Sequence, residues 1–173
     1  MAAAVFSVGP REMPSQISYS AIIALPVNSL DSKVGIHTQA GQLTAIDFLP
    51  STAAIQPADN PAAAHVADQL TAYFSNRKFR FDLPLLMPGT PFQQLVWHTL
   101  LTIRAGQTCS YGDIAEQLHS SARAVGNACR ANPIPIVVPC HRVVAKTGIG
   151  GYCGHTTGQR LRIKQWLLEH ERN

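Results

Sequence analysis

The chain has 173 residues, enough for one large or two small domains around a buried core. Hydrophobic residues make up 46% and charged residues 14% of the sequence, a balance that excludes a disordered chain. No apolar run approaches the ~20 residues that cross a bilayer and the start lacks a secretory signal, so we expect a cytoplasmic protein with free thiols and no membrane partner.

Positive charge is concentrated in the second half of the chain. The net charge is +4, but residues 89–173 carry nine basic and four acidic residues, whereas residues 1–88 carry five and six. No acidic residue lies between Gln117 and Leu168. One-sided basic charge favours binding of a polyanion such as nucleic acid, although a solvated basic surface would have the same composition.

The first half of the chain predicts a small α+β unit. Asn60 followed by Pro61 is a typical helix start, because the asparagine side chain caps the first turn and proline suits its first position. Residues 76–89 are rich in proline and glycine and predict a linker, so we divide the chain into domains at 1–88 and 89–173. Three runs ahead of the helix have the composition of short strands. They lie at residues 19–26, 33–38 and 43–49.

Three helix starts follow the linker. Thr90 can cap one helix, while Ser110 and Ser121 can cap two short helices over residues 111–118 and 122–130. Two short helices joined this closely predict a helix-turn-helix unit. The second one carries small residues and two arginines seven positions apart on one face, a pattern that favours DNA but whose small residues also suit helix packing. These residues are Ala122, Ala124, Gly126, Ala128, Arg123 and Arg130.

An apolar run at residues 134–138 leads into the motif Pro139-Cys140-His141-Arg142. The run predicts a buried extended segment, and its prolines exclude an ordinary central strand because each lacks a backbone donor. Such a segment can hold Cys140 at the floor of a pocket. An inert buried thiol fits these local residues equally well.

Cys140 and His141 have the chemistry of a nucleophile and its base. Cysteine attacks as the thiolate, and a histidine can lower the pKa of the thiol or accept its proton while a carboxylate from Glu169 or Glu171 orients the ring. Adjacent residues on an extended chain point in opposite directions, so His141 must reach Cys140 through a turn or a bridging water. A cysteine hydrolase would use the same pair, and a non-catalytic DNA-binding module would need only the basic half.

Six motifs occur together within residues 89–171. They are Asn132 to Val144, Thr90-Pro91-Phe92-Gln93, Ser110-Tyr111-Gly112, Ala122 to Gly126, Gly151-Tyr152 and Trp166 to Glu171. In this combination the sequence resembles the O6-alkylguanine-DNA alkyltransferases, also called methylated-DNA–protein-cysteine methyltransferases. The resemblance implies an α+β fold. A small N-terminal α/β domain, ribonuclease H-like, would precede a helical, winged-helix-like domain whose helix-turn-helix binds DNA and which carries the active site.

The resemblance implies direct-reversal DNA repair in a single turnover, without a cofactor. Cys140 would attack the alkyl carbon on guanine O6, keep the alkyl group as a thioether and release normal guanine. The family pattern makes His141 a water-mediated base that Glu171 orients. It also implies that Asn132 braces the turn below the site and that Tyr111 donates a proton or hydrogen bond to the leaving base. It leaves open which alkyl groups are accepted and whether O4-alkylthymine is a substrate.

The implied partner is double-stranded DNA that contains an alkylated guanine, bound by a monomer. Because the alkyl group lies inside the duplex, the base must be extruded, and Arg123 corresponds to the family's finger that fills the vacated stack. The helix from Ala122 would enter the minor groove, and cooperative binding is left open. The implied DNA-contact residues are Ala122, Arg123, Ala124, Gly126 and Arg130. The implied pocket residues are Pro135, Val143, Gly150, Tyr152 and Cys153.

Two features depart from the family pattern. Cys153 stands where relatives more often have a small residue such as serine or alanine, so a second thiol could alter substrate fit or be oxidised. Residues 154–160 make the following loop longer than in many relatives. The cysteines form no Cys-x-x-Cys pair and none lies in residues 1–88, so neither the structural zinc of some relatives nor another metal site is expected.

Overall fold

The computed structural model describes residues 18–25 and 32–172. In the first half, three antiparallel strands form a sheet in the order β1-β2-β3, and a tight turn at Ala40 and Gly41 joins the last two. The predicted strands are confirmed, except that Pro26, the end of the first predicted run, lies outside the described residues. The strands are β1 (Ala21–Ala24), β2 (Ser32–Gln39) and β3 (Gln42–Pro50).

Helix α1 (Pro61–Ser75) packs against this sheet. Its predicted start is confirmed, because the Asn60 side chain accepts a 2.9 Å hydrogen bond from the backbone N–H of Ala63. The apolar stripe of α1 includes Tyr73, which is fully buried. This stripe brings α1 close to the end of the chain as well as to the sheet.

The second half is mainly helical, and each of its three predicted caps is formed. Thr90 and Ser110 make capping boxes with Gln93 and Asp113, and Ser121 accepts a hydrogen bond from the backbone of Ala124. The helices are α2 (Pro91–Leu101), α3 (Tyr111–Gln117), α4 (Ala122–Arg130) and α5 (Gly158–Arg172). Two short parallel strands, β4 (Cys109–Ser110) and β5 (Val143–Val144), pair between them.

Small residues on α4 serve in part to pack helices together. Ala128 is buried, and its carbonyl accepts a 2.9 Å hydrogen bond from the indole N–H of Trp97 on α2. Val125 and Cys129 are also buried, whereas Ala122 and Arg123 are exposed. Packing therefore accounts for the buried face of α4, and a DNA-contact role for its exposed face stays a prediction.

The apolar run at residues 134–138 is buried as predicted, but the prediction of an extended segment is wrong. The run is wound into turns, with a 2.9 Å hydrogen bond from the backbone N–H of Val138 to the carbonyl of Ile134 and a positive φ of 76° at Ile136. A 3₁₀ helix, Cys140–Arg142, follows it. Closely spaced prolines cannot donate to a strand ladder, so the segment meets its hydrogen-bond needs locally.

The two halves pack directly on each other. The backbone N–H of Ile46 in β3 donates a 2.9 Å hydrogen bond to the carbonyl of Pro133, and the Arg160 guanidinium donates a 3.0 Å bond to the carbonyl of Phe48. One cluster of buried apolar side chains includes members from both halves. Within residues 18–25 and 32–172, none of the helices has the length and apolar character needed to cross a bilayer.

Candidate active site

Cys140 lies at the bottom of a cavity of about 150 Å³. It is the first residue of the 3₁₀ helix and is only 3% exposed. The cavity opens between α4 and the loop after β5. Its lining includes Tyr111, Gly126, Cys129, Arg130, Cys140, Gly151, Tyr152, Cys153 and His155.

Asn132 holds the backbone turn that presents Cys140. Its amide oxygen accepts a 3.0 Å hydrogen bond from the backbone N–H of Ile134, and its amide nitrogen donates a 2.8 Å bond to the carbonyl of Val138. The same nitrogen lies 3.2 Å from Sγ of Cys140 and donates to it. A single buried side chain thus closes the turn and contacts the sulfur.

The surroundings of Cys140 favour its thiolate. A hydrogen bond from the thiol of Cys153, a second from Asn132 and the positive charge of Lys164 lower the pKa of Cys140, against the opposing effect of burial. The pKa of Cys153 is raised, because its thiol is the donor to Cys140 and is itself buried. Burial and the charge of Cys140 raise the pKa of Cys129 to about 12. Of the three thiols that line the cavity, Cys140 is therefore the one whose pKa is lowered.

Lys164 on α5 is a buried cation beside the site. Its side chain is inaccessible to solvent, and Nζ donates to the carbonyls of Val143 and Gly151, the latter at 2.9 Å. Burial lowers the pKa of Lys164 to about 8, whereas the neighbouring cysteines raise it. The lysine ties β5 and the following loop to α5 while supplying positive charge near the sulfur.

His141 is fully buried and is oriented by Glu171. Its Nε2–H donates a 2.9 Å hydrogen bond to Oε1 of Glu171, and its Nδ1 has no protein partner within the described residues. Burial lowers the pKa of His141, and the hydrogen bond to Glu171 opposes that effect. A neutral ring with Nε2 protonated leaves the Nδ1 lone pair available as a base. The alternative carboxylate, Glu169, is exposed and accepts a bond from Gln165 instead.

Glu171 is the centre of a buried hydrogen-bond network. Besides His141, it accepts bonds from Nε and Nη2 of Arg142 at 2.9 and 2.8 Å and from the hydroxyl of Tyr73 at 2.7 Å. The backbone N–H of Gly106 donates a longer bond of 3.3 Å. Burial alone would raise the pKa of Glu171, but the hydrogen bonds from His141 and Arg142 and the positive charge of Arg142 outweigh it, and the pKa lies well below its usual range. The carboxylate is therefore ionised at neutral pH.

Tyr111 stands over the cavity as a protonated phenol. Its hydroxyl donates a 3.3 Å hydrogen bond to the carbonyl of Gly151, and burial, with smaller effects from Cys129 and Cys140, raises its pKa to about 12. Gly150 has a φ of 68°, and a Cβ there would lie 3.0 Å from the Tyr111 ring. Glycine at position 150 thus permits the loop to lie against the tyrosine.

The other predicted site residues fall into two groups. Tyr152, Cys153, Gly126 and Arg130 line the cavity with Cys140, whereas Pro135, Val143 and Gly150 are not among its lining residues. Arg123 and Ala122 lie on the exposed face of α4, and Ala124 is half-buried. The roles predicted for both groups in binding guanine and DNA stay predictions.

Comparison with known proteins places the chain in a family. The family description "6-O-methylguanine DNA methyltransferase, DNA binding domain" matches residues 91–173. The methylated-DNA–protein-cysteine methyltransferase of Mycobacterium tuberculosis is 43% identical over 157 residues, which cover 84% of this chain and 91% of that protein. The chain belongs to the methylated-DNA–protein-cysteine methyltransferase family.

A second relative and a solved structure support this family assignment. The constitutive methylated-DNA–protein-cysteine methyltransferase of Bacillus subtilis is 41% identical over 130 residues, covering 73% of this chain and 76% of that protein. A crystal structure of Mycobacterium tuberculosis OGT in complex with DNA has a TM-score of 0.67 at 38% identity, covering 84% of this chain and 90% of that one. The likeness therefore extends over both halves of the fold.

Sequence reasoning missed three polar residues of the methyltransferase site. Lys164 shares the three-to-four spacing of Leu167, Leu168 and Glu171 on α5, so a cation on an apolar stripe was an available signal. Arg142 is the last residue of the Pro139-Cys140-His141-Arg142 motif, but the sequence indicated no role for it. Tyr73 carried no signal, because an aromatic residue on the apolar face of a helix predicts only a core position.

Proposed function

We propose that this methyltransferase repairs alkylated DNA directly, by moving an alkyl group from O6 of guanine to Sγ of Cys140 in one irreversible step. The proposal rests on one observation: the Cys140 thiol, whose pKa is lowered, lies at the floor of the cavity directly before a buried His141 whose Nδ1 has no protein partner within the described residues. A base at Nδ1 and a carboxylate at Nε2 form the arrangement that activates a thiol nucleophile.

The transfer is a displacement at carbon. His141 accepts the thiol proton of Cys140 through a bridging water, and Glu171 stabilises the imidazolium that results. The thiolate then forms a bond to the alkyl carbon while the bond from that carbon to O6 breaks, and the electron pair leaves with the guanine. Tyr111, with a pKa of about 12, is protonated at neutral pH and donates a hydrogen bond to the departing base. The guanine anion then takes up one proton, through Tyr111 or from solvent, and leaves as normal guanine. The thioether on Cys140 is not hydrolysed, so each molecule reacts once.

Double-stranded DNA with an alkylated guanine is the substrate in this proposal. Because Cys140 is 3% exposed at the bottom of its cavity, a guanine stacked in a duplex cannot reach the sulfur and must be extruded. The exposed Arg123 fills the vacated stack. The small side chains of Ala122, Ala124 and Gly126 let α4 approach the minor groove closely.

The finer assignment of the fold belongs to the same proposal. A ribonuclease H-like domain at residues 1–88 precedes a winged-helix-like domain at residues 89–173. Support comes from the hairpin and packed helix of the first half and from the close contact of α3 with α4 in the second. In this arrangement α4 is the second helix of the helix-turn-helix.

The decisive experiment measures where the alkyl group goes. The protein is incubated with duplex DNA that contains O6-methylguanine, and its intact mass and peptide map are recorded beside those of Cys140→Ser. We expect a stoichiometric gain of one methyl group on Cys140, restored guanine in the DNA and no second turnover. Repeated turnover on an ester or peptide would support a cysteine hydrolase instead. Unmodified protein with unchanged DNA would overturn the proposal.

A further inference from the structure

Tyr73 links the first half of the chain to the carboxylate behind the candidate active site. Its hydroxyl lies 2.7 Å from Oε1 of Glu171, the same oxygen that accepts the Nε2–H of His141 at 2.9 Å. Tyr73 belongs to α1, 98 residues away from Glu171 in the sequence, and is fully buried. A donor from the first half thus shares an oxygen with the proposed base.

The Tyr73 ring is held in place from several sides. Its centroid lies 5.2 to 5.3 Å from the ring centroids of Phe74, Phe81 and His170. The Nε2–H of His170, the residue before Glu171, donates a 2.9 Å hydrogen bond to the backbone carbonyl of Tyr73. Backbone and ring are both anchored where α1 meets the end of α5, so the position of the hydroxyl is set before any substrate binds.

The hydroxyl acts as a hydrogen-bond donor to an ionised acceptor. Burial, together with the negative charge of Glu171, raises the pKa of Tyr73, so its proton stays on oxygen. Such a charge-assisted bond stabilises the carboxylate and makes it less basic. A less basic carboxylate leaves the Nε2 proton on His141. The hydrogen bond from this Nε2–H to Glu171 fixes the plane in which the ring lies.

We infer that Tyr73 is a positioning residue for alkyl transfer, acting on His141 through Glu171. The inference rests on the function proposed above, in which His141 accepts the proton of Cys140. It gives the first half of the chain a defined part in the chemistry, because the hydrogen bonds that orient the catalytic histidine are completed only when α1 is docked on α5.

The test compares Tyr73→Phe with the wild-type protein. Phenylalanine keeps the ring contacts and removes only the hydroxyl. Without this donor Glu171 becomes a stronger acceptor for the Nε2–H of His141, so the pKa of His141 rises. We expect the single-turnover rate on O6-methylguanine DNA to fall about tenfold near neutral pH. The acidic limb of the pH–rate profile should move to higher pH. DNA affinity should be unchanged.

Two measurements separate this role from a purely structural one. Nitrogen NMR of the free protein follows the His141 ring through a pH titration, and we expect its midpoint to be higher in Tyr73→Phe than in wild type. The matched control is Tyr19→Phe, which removes a hydroxyl from the same half away from the cavity. A fluorinated tyrosine placed at position 73 keeps the fold and donates more strongly, so it should move the acidic limb to lower pH.

The outcomes distinguish this inference from the proposed function. If wild-type protein gains no methyl group on Cys140, the proposed function fails, whatever the histidine titration shows. If wild type is alkylated but Tyr73→Phe and the fluorinated variant keep the wild-type acidic limb and His141 midpoint, the positioning role of Tyr73 is wrong. Shifts in opposite directions in the two variants, with Tyr19→Phe unchanged, would support it.

Discussion

Two regions of this methyltransferase handle charge in opposite ways. Around Glu171 the ionic groups are buried, and each side-chain donor lies within 3 Å of the carboxylate. On the outer face of α4, Arg123 and Arg130 are exposed and carry no ion pair among the described residues. A buried charge must be paired to be tolerated, whereas a solvated charge stays available for a phosphate or a base stack.

Under the proposed function, this difference separates the chemistry from the contact with DNA. Burial holds the side chains of the network behind His141 in fixed positions, because low local polarity strengthens each hydrogen bond. The exposed arginines of α4 can contact a partner directly, but salt screens their charge. We therefore expect changes in the network to alter rate and stability, and changes on α4 to alter binding.

The largest effect should come from Cys140→Ser. A serine hydroxyl is not ionised at neutral pH, so alkyl transfer should fall by about 10³-fold or more. Affinity for unmodified duplex DNA, measured by fluorescence anisotropy, should stay within about twofold because the α4 face is untouched. Cys109→Ser, outside the cavity, is the control and should keep its activity. Methyl transfer by Cys140→Ser at the wild-type rate would contradict the assignment of the chemistry to the buried region.

Glu171→Gln should cost about 3–5 kcal/mol in the free energy of unfolding, because it leaves the buried Arg142 without its carboxylate. Urea unfolding followed by circular dichroism measures the loss. Glu169→Gln, two residues away and exposed, should change stability by no more than ~0.5 kcal/mol. Equal losses in the two variants would show that burial of the network does not matter.

Acid should destabilise the buried region. The folded-state pKa values of His141 and Glu171 both lie below their ordinary values, mainly through burial for His141 and through hydrogen bonds that outweigh burial for Glu171. The unfolded chain therefore binds more protons below about pH 6.5 at His141 and below about pH 4.3 at Glu171. Stability is fully present above these values and falls with pH, by up to about 1.4 kcal/mol per pH unit and group.

Denaturant melts between pH 7 and pH 3 measure this loss. In Glu171→Gln, the plot of stability against pH should be flatter below about pH 4.3, because the carboxyl that titrates there is absent. Arg123→Ala should leave the whole curve unchanged. A flat curve for the wild type would contradict the buried charges seen in the structure.

The smallest effect should come from Arg123→Ala. Filling the vacated stack offsets part of a base-extrusion cost of a few kcal/mol, so the transfer rate on duplex DNA should fall about tenfold. The rate with free O6-benzylguanine base should not change, because that substrate needs no extrusion. Arg77→Ala, an exposed arginine in the first half, is the matched control. Equal loss on the free base would place Arg123 in the chemistry rather than in DNA contact.

Local signals in the sequence predicted most of the elements. The caps at Asn60, Thr90, Ser110 and Ser121 were all correct, because a cap depends on groups within three residues along the chain. The six motifs together identified the family, which is confirmed, whereas the role of Cys140 as the alkyl acceptor stays a prediction. The local prediction of an extended segment at 134–138 was wrong because the Asn132 side chain, accepting from the backbone of Ile134 and donating to that of Val138, holds the segment in turns.

The sequence by itself therefore determined where helices and strands begin and, through the six motifs, the family to which the chain belongs. The family resemblance already named Glu171 as the residue that orients His141, and the tertiary structure shows that contact. Tertiary structure alone decided that Lys164 is buried beside the site and that Tyr73 reaches the carboxylate. Contacts between residues 30 to 98 positions apart are set by how helices pack, which local chemistry does not specify.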